Sequence, residues 1–326
     1  MGAQRDTEPR LRRMVHCLHL IVFCSPLAGA NGGLPCAPIA VQPISVSTPD
    51  GPARGYLATI DLSDPQLKVL VNAFQSSEAQ QSPPSASGKN ANARLTSPDA
   101  WAIETGANLV VNANYFSWLG AKKQGEPAQI LGLCIRDGAL VSDAREFKQT
   151  LDPALIITES REARIVGDDP LLLQGAVAAV AGIGASDTAT EAGAQLVTDG
   201  KNTGAQARVE PLKRHPRTAI GVGSDKHTLY VVAIDGRQPD YSVGVTLPEL
   251  ADYFISLGAQ DAINLDGGGS TAFVYRPCDG SPTVTNRPSD GSFRPVAVCL
   301  GFKVEAASEP APAVSDQAPK EVPSRR

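Results

Sequence analysis

The sequence predicts an α+β fold: a single domain built on a mixed, mostly antiparallel sheet with a few packed helices. Three observations predict it. Short β-branched runs with partial alternation recur along the chain and are separated by turn residues, of which 30 Gly and 26 Pro supply many. Two segments carry clear helix-start signals. No regular strand–helix–strand alternation appears, so a parallel doubly wound sheet is not expected. At 326 residues and 42% hydrophobic content the chain can bury a sizeable core.

Taken in order, the chain opens with a basic start at Arg10, Arg12 and Arg13. An apolar run from Met14 to Leu27 follows and ends in Ala28-Gly29-Ala30. These are the parts of a cleavable secretory signal, and the run is shorter than the roughly 20 residues a bilayer span needs. The expected organisation is a signal peptide over 1–30, a domain over 31–304 and a disordered, Pro- and Ala-rich tail over 305–326. The protein is then exported, to the periplasm or beyond, with no stable membrane span after cleavage. Cys36, Cys134, Cys278 and Cys299 remain in the mature chain. In an oxidising compartment they point to disulfides. Cys278 and Cys299 flank the last hairpin-like region and make the preferred pair, leaving Cys36 and Cys134 for a second bridge.

Tyr56–Leu62 and Leu67–Val71 read as strands, and the Ser-, Pro- and Gln-rich stretch from Gln75 to Ala93 reads as an exposed loop. Ser97-Pro98-Asp99 starts a helix that should stop near Gly106. A buried strand over 107–113 then delivers Asn112, Asn114, Tyr115 and Phe116. Asp137-Gly138 predicts a tight hairpin turn. Further strands fall at 154–158 and 163–166, and Leu171–Ala181 suits either a helix or a strand. Arg217–Gly223 and Thr228–Asp235 read as paired strands. Thr246-Leu247-Pro248-Glu249 is a capping box opening a helix that runs to Leu257 and ends at Gly258. Ala262–Leu265 is a strand that runs straight into Asp266.

A net charge of −5 without a basic stripe excludes a nucleic-acid partner. The strongest chemical signal is Asn264-Leu265-Asp266-Gly267-Gly268-Gly269-Ser270-Thr271. A carboxylate stands at a strand end, and Gly267, Gly268 and Gly269 after it let consecutive amides converge on an anion. Arg217 at a strand start supplies bidentate phosphate chemistry. Asp235, ending the next strand, is a second carboxylate. Asn112, Asn114 and Asn264 can hydrogen-bond sugar hydroxyls. Ser270 lies outside a G-x-S-x-G elbow, and only His215 and His227 survive signal removal, so a serine hydrolase is disfavoured. Gly267–Gly269 lacks the spacing of a dinucleotide site. No pattern requires a cofactor. Oxygen ligands beside phosphate would suit a divalent cation at Asp266 or Asp235.

Asn112–Phe116, Asp199-Gly200, Arg217–Val222, Asp235-Gly236-Arg237, Thr246–Ala251 and Asn264–Thr271 occur in this order. Together they resemble the phosphodiester glycosidase family, over about residues 91–302. The resemblance implies hydrolysis of a sugar-1-phosphodiester, with polysaccharide or envelope glycans as the wider substrate class. Asp266 is the first catalytic candidate and Asp235 the second. Arg217, Gly267–Gly269 and Ser270 would hold the phosphate, and Asn112, Asn114 and Asn264 the sugar. The rival reading is a non-catalytic carbohydrate- or cell-wall-binding protein on the same fold.

Overall fold

The computed structural model describes residues 36–73, 91–143, 152–166, 173–182, 195–207 and 209–305. The expected signal peptide, most of the polar loop at 75–93 and almost all of the tail at 305–326 lie outside them.

Strands dominate the described residues, and the α+β expectation gives way to a β-rich fold. A seven-stranded sheet has the order β1 (Ile39–Thr48), β2 (Gly51–Asp61), β16 (Thr228–Ile234), β15 (Arg217–Gly223), β17 (Ala259–Asn264), β13 (Val197–Thr198) and β14 (Lys201–Asn202). A five-stranded sheet joins β11 (Ala163–Val166), β10 (Ala154–Thr158), β12 (Ala176–Ala181), β8 (Cys134–Arg136) and β9 (Ala139–Ser142). A second five-stranded sheet joins β19 (Val284–Thr285), β18 (Phe273–Tyr275), β5 (Leu109–Asn112), β20 (Cys299–Val304) and β3 (Leu67–Val71). The smallest has β4 (Ala93–Arg94), β7 (Pro127–Ile130) and β6 (Phe116–Trp118). The pairings within these sheets are antiparallel, as expected.

Only two α-helices stand among the described residues, α1 (Pro98–Thr105) and α2 (Leu247–Leu257). The ambiguous Ala-rich run resolves as β12, paired on both sides by β10 and β8. Alanine prefers a helix in isolation, but burial between two partner strands decides the matter here. α1 ends at Gly106 in the left-handed region (φ 69°). α2 has the full capping box between Thr246 and Glu249 and a left-handed Gly258 (φ 89°). The Asp137-Gly138 turn carries two positive φ angles, 49° and 76°, the requirement of a type I′ hairpin.

The largest core cluster gathers Ile60, Leu109, Val111, Ile130, Leu155, Ile220, Val231, Phe273 and Phe302 from all four sheets. On the opposite face of β15 and β16, α2 packs Leu247, Leu250, Ala251 and Phe254 against Leu57, Ala219 and Val232. Gly221 permits that approach, because a Cβ there would stand 2.6 Å from the Phe254 ring.

The disulfide joins Cys36 to Cys278 across 242 residues, while Cys134 and Cys299 are free and buried. The expected Cys278–Cys299 and Cys36–Cys134 pairs are therefore both corrected. The reason is topological: β18 and β20 lie on opposite sides of β5, so residues 278 and 299 do not flank a hairpin. Cys299 packs instead beside Trp101, Ala102 and Val110.

Candidate active site

β17 ends at Asn264, and the chain then crosses from the seven-stranded sheet to the tip of β5. Leu265 N–H donates to Thr218 O (2.8 Å) and Asp266 N–H to Ala113 O (3.0 Å). Asn112 ties this junction. Its Oδ1 accepts from Thr218 Oγ1 (2.7 Å) and Ala272 N–H (3.0 Å), and its Nδ2 donates to Asp266 O (2.6 Å). With no exposed surface, Asn112 holds the motif in place and is closed to a ligand. Asn114 Nδ2 likewise donates inward, to Leu131 O (3.1 Å) and Leu133 O (3.0 Å). Asn264 Nδ2 donates to Tyr115 Oη (3.1 Å) and Leu265 O (2.9 Å). The Oδ1 atoms of Asn114 and Asn264 are buried and have no partner.

Asp266 is half-buried at this junction. Its Oδ1 accepts from Gly267 N–H (2.9 Å). Desolvation raises its pKa to about 6, and the Ser270 hydroxyl, the Gly267 amide and the nearby Arg294 charge only partly offset that. The three glycines then form a 3-10 turn over Gly268–Ser270, not an open cradle. The Gly267 amide serves Asp266 itself, and the Gly268 amide donates to Pro216 O (2.9 Å). What the glycines supply is room. A Cβ on Gly268 (φ 60°) would stand 3.1–3.3 Å from the Arg237 guanidinium, and one on Gly269 would overlap the guanidinium of Arg294. Two cations therefore lie against consecutive residues beside the carboxylate.

Arg294 Nη1 reaches Ser270 Oγ (3.4 Å), while Nε and Nη2 bind Asp290 Oδ2 (3.0 and 2.6 Å). Arg237 is exposed and donates from Nη2 to His215 Nδ1 (3.3 Å). His215 Nε2 lies 2.8 Å from Glu210 Oε2, so a tautomer protonated at Nε2 satisfies both contacts. Burial and the charge of Arg217 lower the His215 pKa, which keeps the ring neutral at pH 7.

The remaining sequence candidates do structural duty. Arg217 is 2% exposed, and its nitrogens donate to the carbonyls of Val245 (3.5 Å), Val209 (3.2 Å), Glu210 (3.0 Å) and Lys213 (3.1 Å). It clamps a loop in which Val209 and Glu210 both hold positive φ (66° and 52°). Burial lowers its pKa to about 10, so it stays charged at neutral pH. Asp235 is 1% exposed and accepts from Asn286 Nδ2 (2.8 Å) and Arg287 N–H (3.0 Å), anchoring the segment that leads to Arg294. Burial raises its pKa. The structure thus brings Asp266, Ser270 and Asn264 to one place and sets Arg217 and Asp235 behind it. The structure also places Arg294, Asp290 and Tyr115 around this motif, and none of them was a candidate from the sequence. Ser289-Asp290-Gly291 reads locally as an ordinary turn, and nothing near Arg294 in sequence marks it. Among the described residues no three His, Cys, Asp or Glu converge as a metal site, and no helix is long and apolar enough to cross a membrane.

Comparisons with known proteins agree on the fold. A prophage-derived uncharacterised protein, YomE of Bacillus subtilis strain 168, is 32% identical over 169 residues, which is 50% of this chain and 23% of that protein. Among solved structures, the catalytic domain of zebrafish N-acetylglucosamine-1-phosphodiester alpha-N-acetylglucosaminidase, auto-inhibited by its pro-peptide, matches with a TM-score of 0.55 at 19% identity. That match covers 81% of this chain and 82% of the zebrafish chain. A Burkholderia pseudomallei K96243 protein described as exported matches with a TM-score of 0.50 at 19% identity, covering 77% of this chain and 74% of its own. The family model for phosphodiester glycosidases matches residues 105–303. On that match the chain belongs to the phosphodiester glycosidase family.

Proposed function

We propose that the protein is an exported hydrolase that cleaves a sugar-1-phosphodiester into free sugar and a phosphomonoester. One observation carries the reading: the Asp266 carboxylate, with a pKa of about 6, stands beside two guanidiniums packed on consecutive glycines, of which that of Arg294 is also paired with Asp290. Arg237 and Arg294 grip the non-bridging phosphate oxygens by charge-assisted hydrogen bonds. Asp266, once ionised, takes a proton from the water that attacks the anomeric carbon. The bond from that carbon to the bridging oxygen breaks, and its electron pair leaves with the phosphate. The proton held by Asp266 passes to the departing phosphomonoester or to solvent. A phosphate is a good leaving group, so stabilising its developing charge replaces a second, acidic carboxylate. That fits an Asp235 whose oxygens are already occupied. Tyr115, held by the Asn264 Nδ2 donor (3.1 Å), borders the sugar side of the site.

Export is supported by the basic and apolar N-terminal pattern and by the Cys36–Cys278 disulfide, which suits an oxidising compartment. The expected substrates are phosphodiester-linked glycans of the envelope or of secreted polysaccharide. The test is a panel of sugar-1-phosphodiesters incubated with purified protein, measuring free sugar and phosphomonoester separately. Equal release of both supports the proposal. Binding without release of either would make the protein a carbohydrate-binding module instead.

A further inference from the structure

Arg294 also lines a cleft of about 370 Å³, together with Lys122, Asp290, Ser292, Phe293 and Pro295. Arg294 belongs to both places, since it lines the cleft and also reaches Ser270 beside the reacting carboxylate. A phosphate gripped by Arg294 therefore adjoins this cleft, which is open to the group that the phosphate carries.

Its chemistry is specific. The Arg294 charge is already matched by Asp290. Lys122 has no carboxylate within ion-pair distance among the described residues, so it is the excess charge of the cleft. Its ammonium sits 4.2 Å from the centre of the Trp118 ring, which also packs edge-on against Phe116 and has the Arg294 guanidinium 5.9 Å from its centre. That cation–ring contact holds the exposed Lys122 at the cleft wall. Phe293 and Pro295 add apolar faces of the kind that sugar rings lie against. The cleft thus offers one unmatched positive charge at Lys122, the Ser292 hydroxyl and two apolar surfaces.

We infer that the cleft walled by Lys122 selects the leaving half of the substrate, favouring a polyhydroxylated group that carries a second anionic substituent, a carboxylate or a further phosphate. This rests on the assignment of Asp266 and Arg294 as the phosphodiester site. The β6–β7 hairpin, which carries Trp118 and Lys122, then sets specificity while the Asp266 motif does the chemistry.

The test uses sugar-1-phosphodiesters that differ only in the leaving half: a neutral alkyl alcohol, a hydroxy acid, and a second phosphate. An exposed charge pair is weak and screened by salt, so at low ionic strength wild type should prefer either anionic substrate by about fivefold in kcat/KM, through KM. Lys122 is exposed, and both of its variants should fold. Lys122→Ala should bring the anionic-to-neutral ratio to about one, and Lys122→Glu should bring it below one, by the same charge argument. A preference for the carboxylate alone or the phosphate alone identifies which anion the cleft takes. A ratio that stays the same in both variants, or a wild-type ratio of one, overturns the inference. The corresponding phosphomonoester products, titrated calorimetrically into wild type and Lys122→Glu, read the cleft without turnover. Should wild type hydrolyse none of the diesters, a charge-dependent contrast in product binding still upholds the cleft while the hydrolytic reading fails, and its absence removes the cleft.

Discussion

At the scale of single residues, the divide is between side chains with a free functional face and side chains whose polar atoms are consumed by the protein. Arg217 and Arg294 illustrate it. Removing the buried guanidinium in Arg217→Met strands the carbonyls of Val209, Glu210 and Lys213, so it should cost roughly 3 kcal/mol of stability and lower activity through unfolding. Arg294→Ala should keep the melting temperature within a few degrees and lower kcat/KM by about 10²-fold, the scale of losing one charge-stabilising donor. Thermal denaturation beside steady-state kinetics checks both. Asp266 also affects stability. Its pKa is raised in the folded protein, from 3.8 to about 6, so the folded state holds the proton more tightly than the unfolded state. The associated stability is fully present below pH about 4 and is lost as pH rises through about 6. Asp266→Asn, which cannot ionise, should therefore melt about 3 °C higher than wild type at pH 8, a gain that vanishes near pH 4. Equal melting temperatures at both pH values would show that Asp266 is not desolvated as described.

At the scale of elements, most of the chain could be read from pattern. The capping box of α2, the Pro-started α1 and the Asp137-Gly138 turn depend on residues within one turn of each other, and each formed as expected. So did the pairing of β15 with β16. The helix-or-strand ambiguity of β12 was settled by its neighbours on both sides, which no local pattern contains. The Asp266 motif stands out in the sequence because its glycines are contiguous. What the sequence does not show is that Gly268 and Gly269 admit the side chains of Arg237 and Arg294, contributed by residues about 30 positions before and 25 after. Gly269→Ala should accordingly leave the fold intact, because only flexible side-chain ends must move. It should displace Arg294 and lower kcat/KM by about tenfold or more, a loss on the scale of a misplaced positioning group. Unchanged kinetics in Gly269→Ala would show that Arg294 does not need its present position.

At the scale of the whole molecule, the site stands where two sheets meet: β17 and β15 from one, β5 from the other, knotted through Asn112. Such contacts join residues more than a hundred positions apart, which is why the individual strands were legible while the class of the fold was not. The cysteines teach the same lesson. Peptide mapping without reduction should find Cys36 joined to Cys278, with Cys134 and Cys299 alkylated only after unfolding. Because the bridge closes a long loop, Cys36→Ser should cost about 2–5 kcal/mol, read as a fall in melting temperature. A bridge between Cys278 and Cys299 would contradict the sheet order of β18, β5 and β20. In the proposed mechanism, ionised Asp266 activates the water that hydrolyses the diester. The most direct measurement is the pH profile of kcat/KM on a sugar-1-phosphodiester for wild type and Asp266→Asn. Wild type should rise tenfold per pH unit at low pH and level off near pH 6, while folded Asp266→Asn should run at least about 10² lower with that inflection gone. A folded Asp266→Asn protein with near wild-type turnover, or one that keeps the inflection, would contradict the account and place the chemistry on another group.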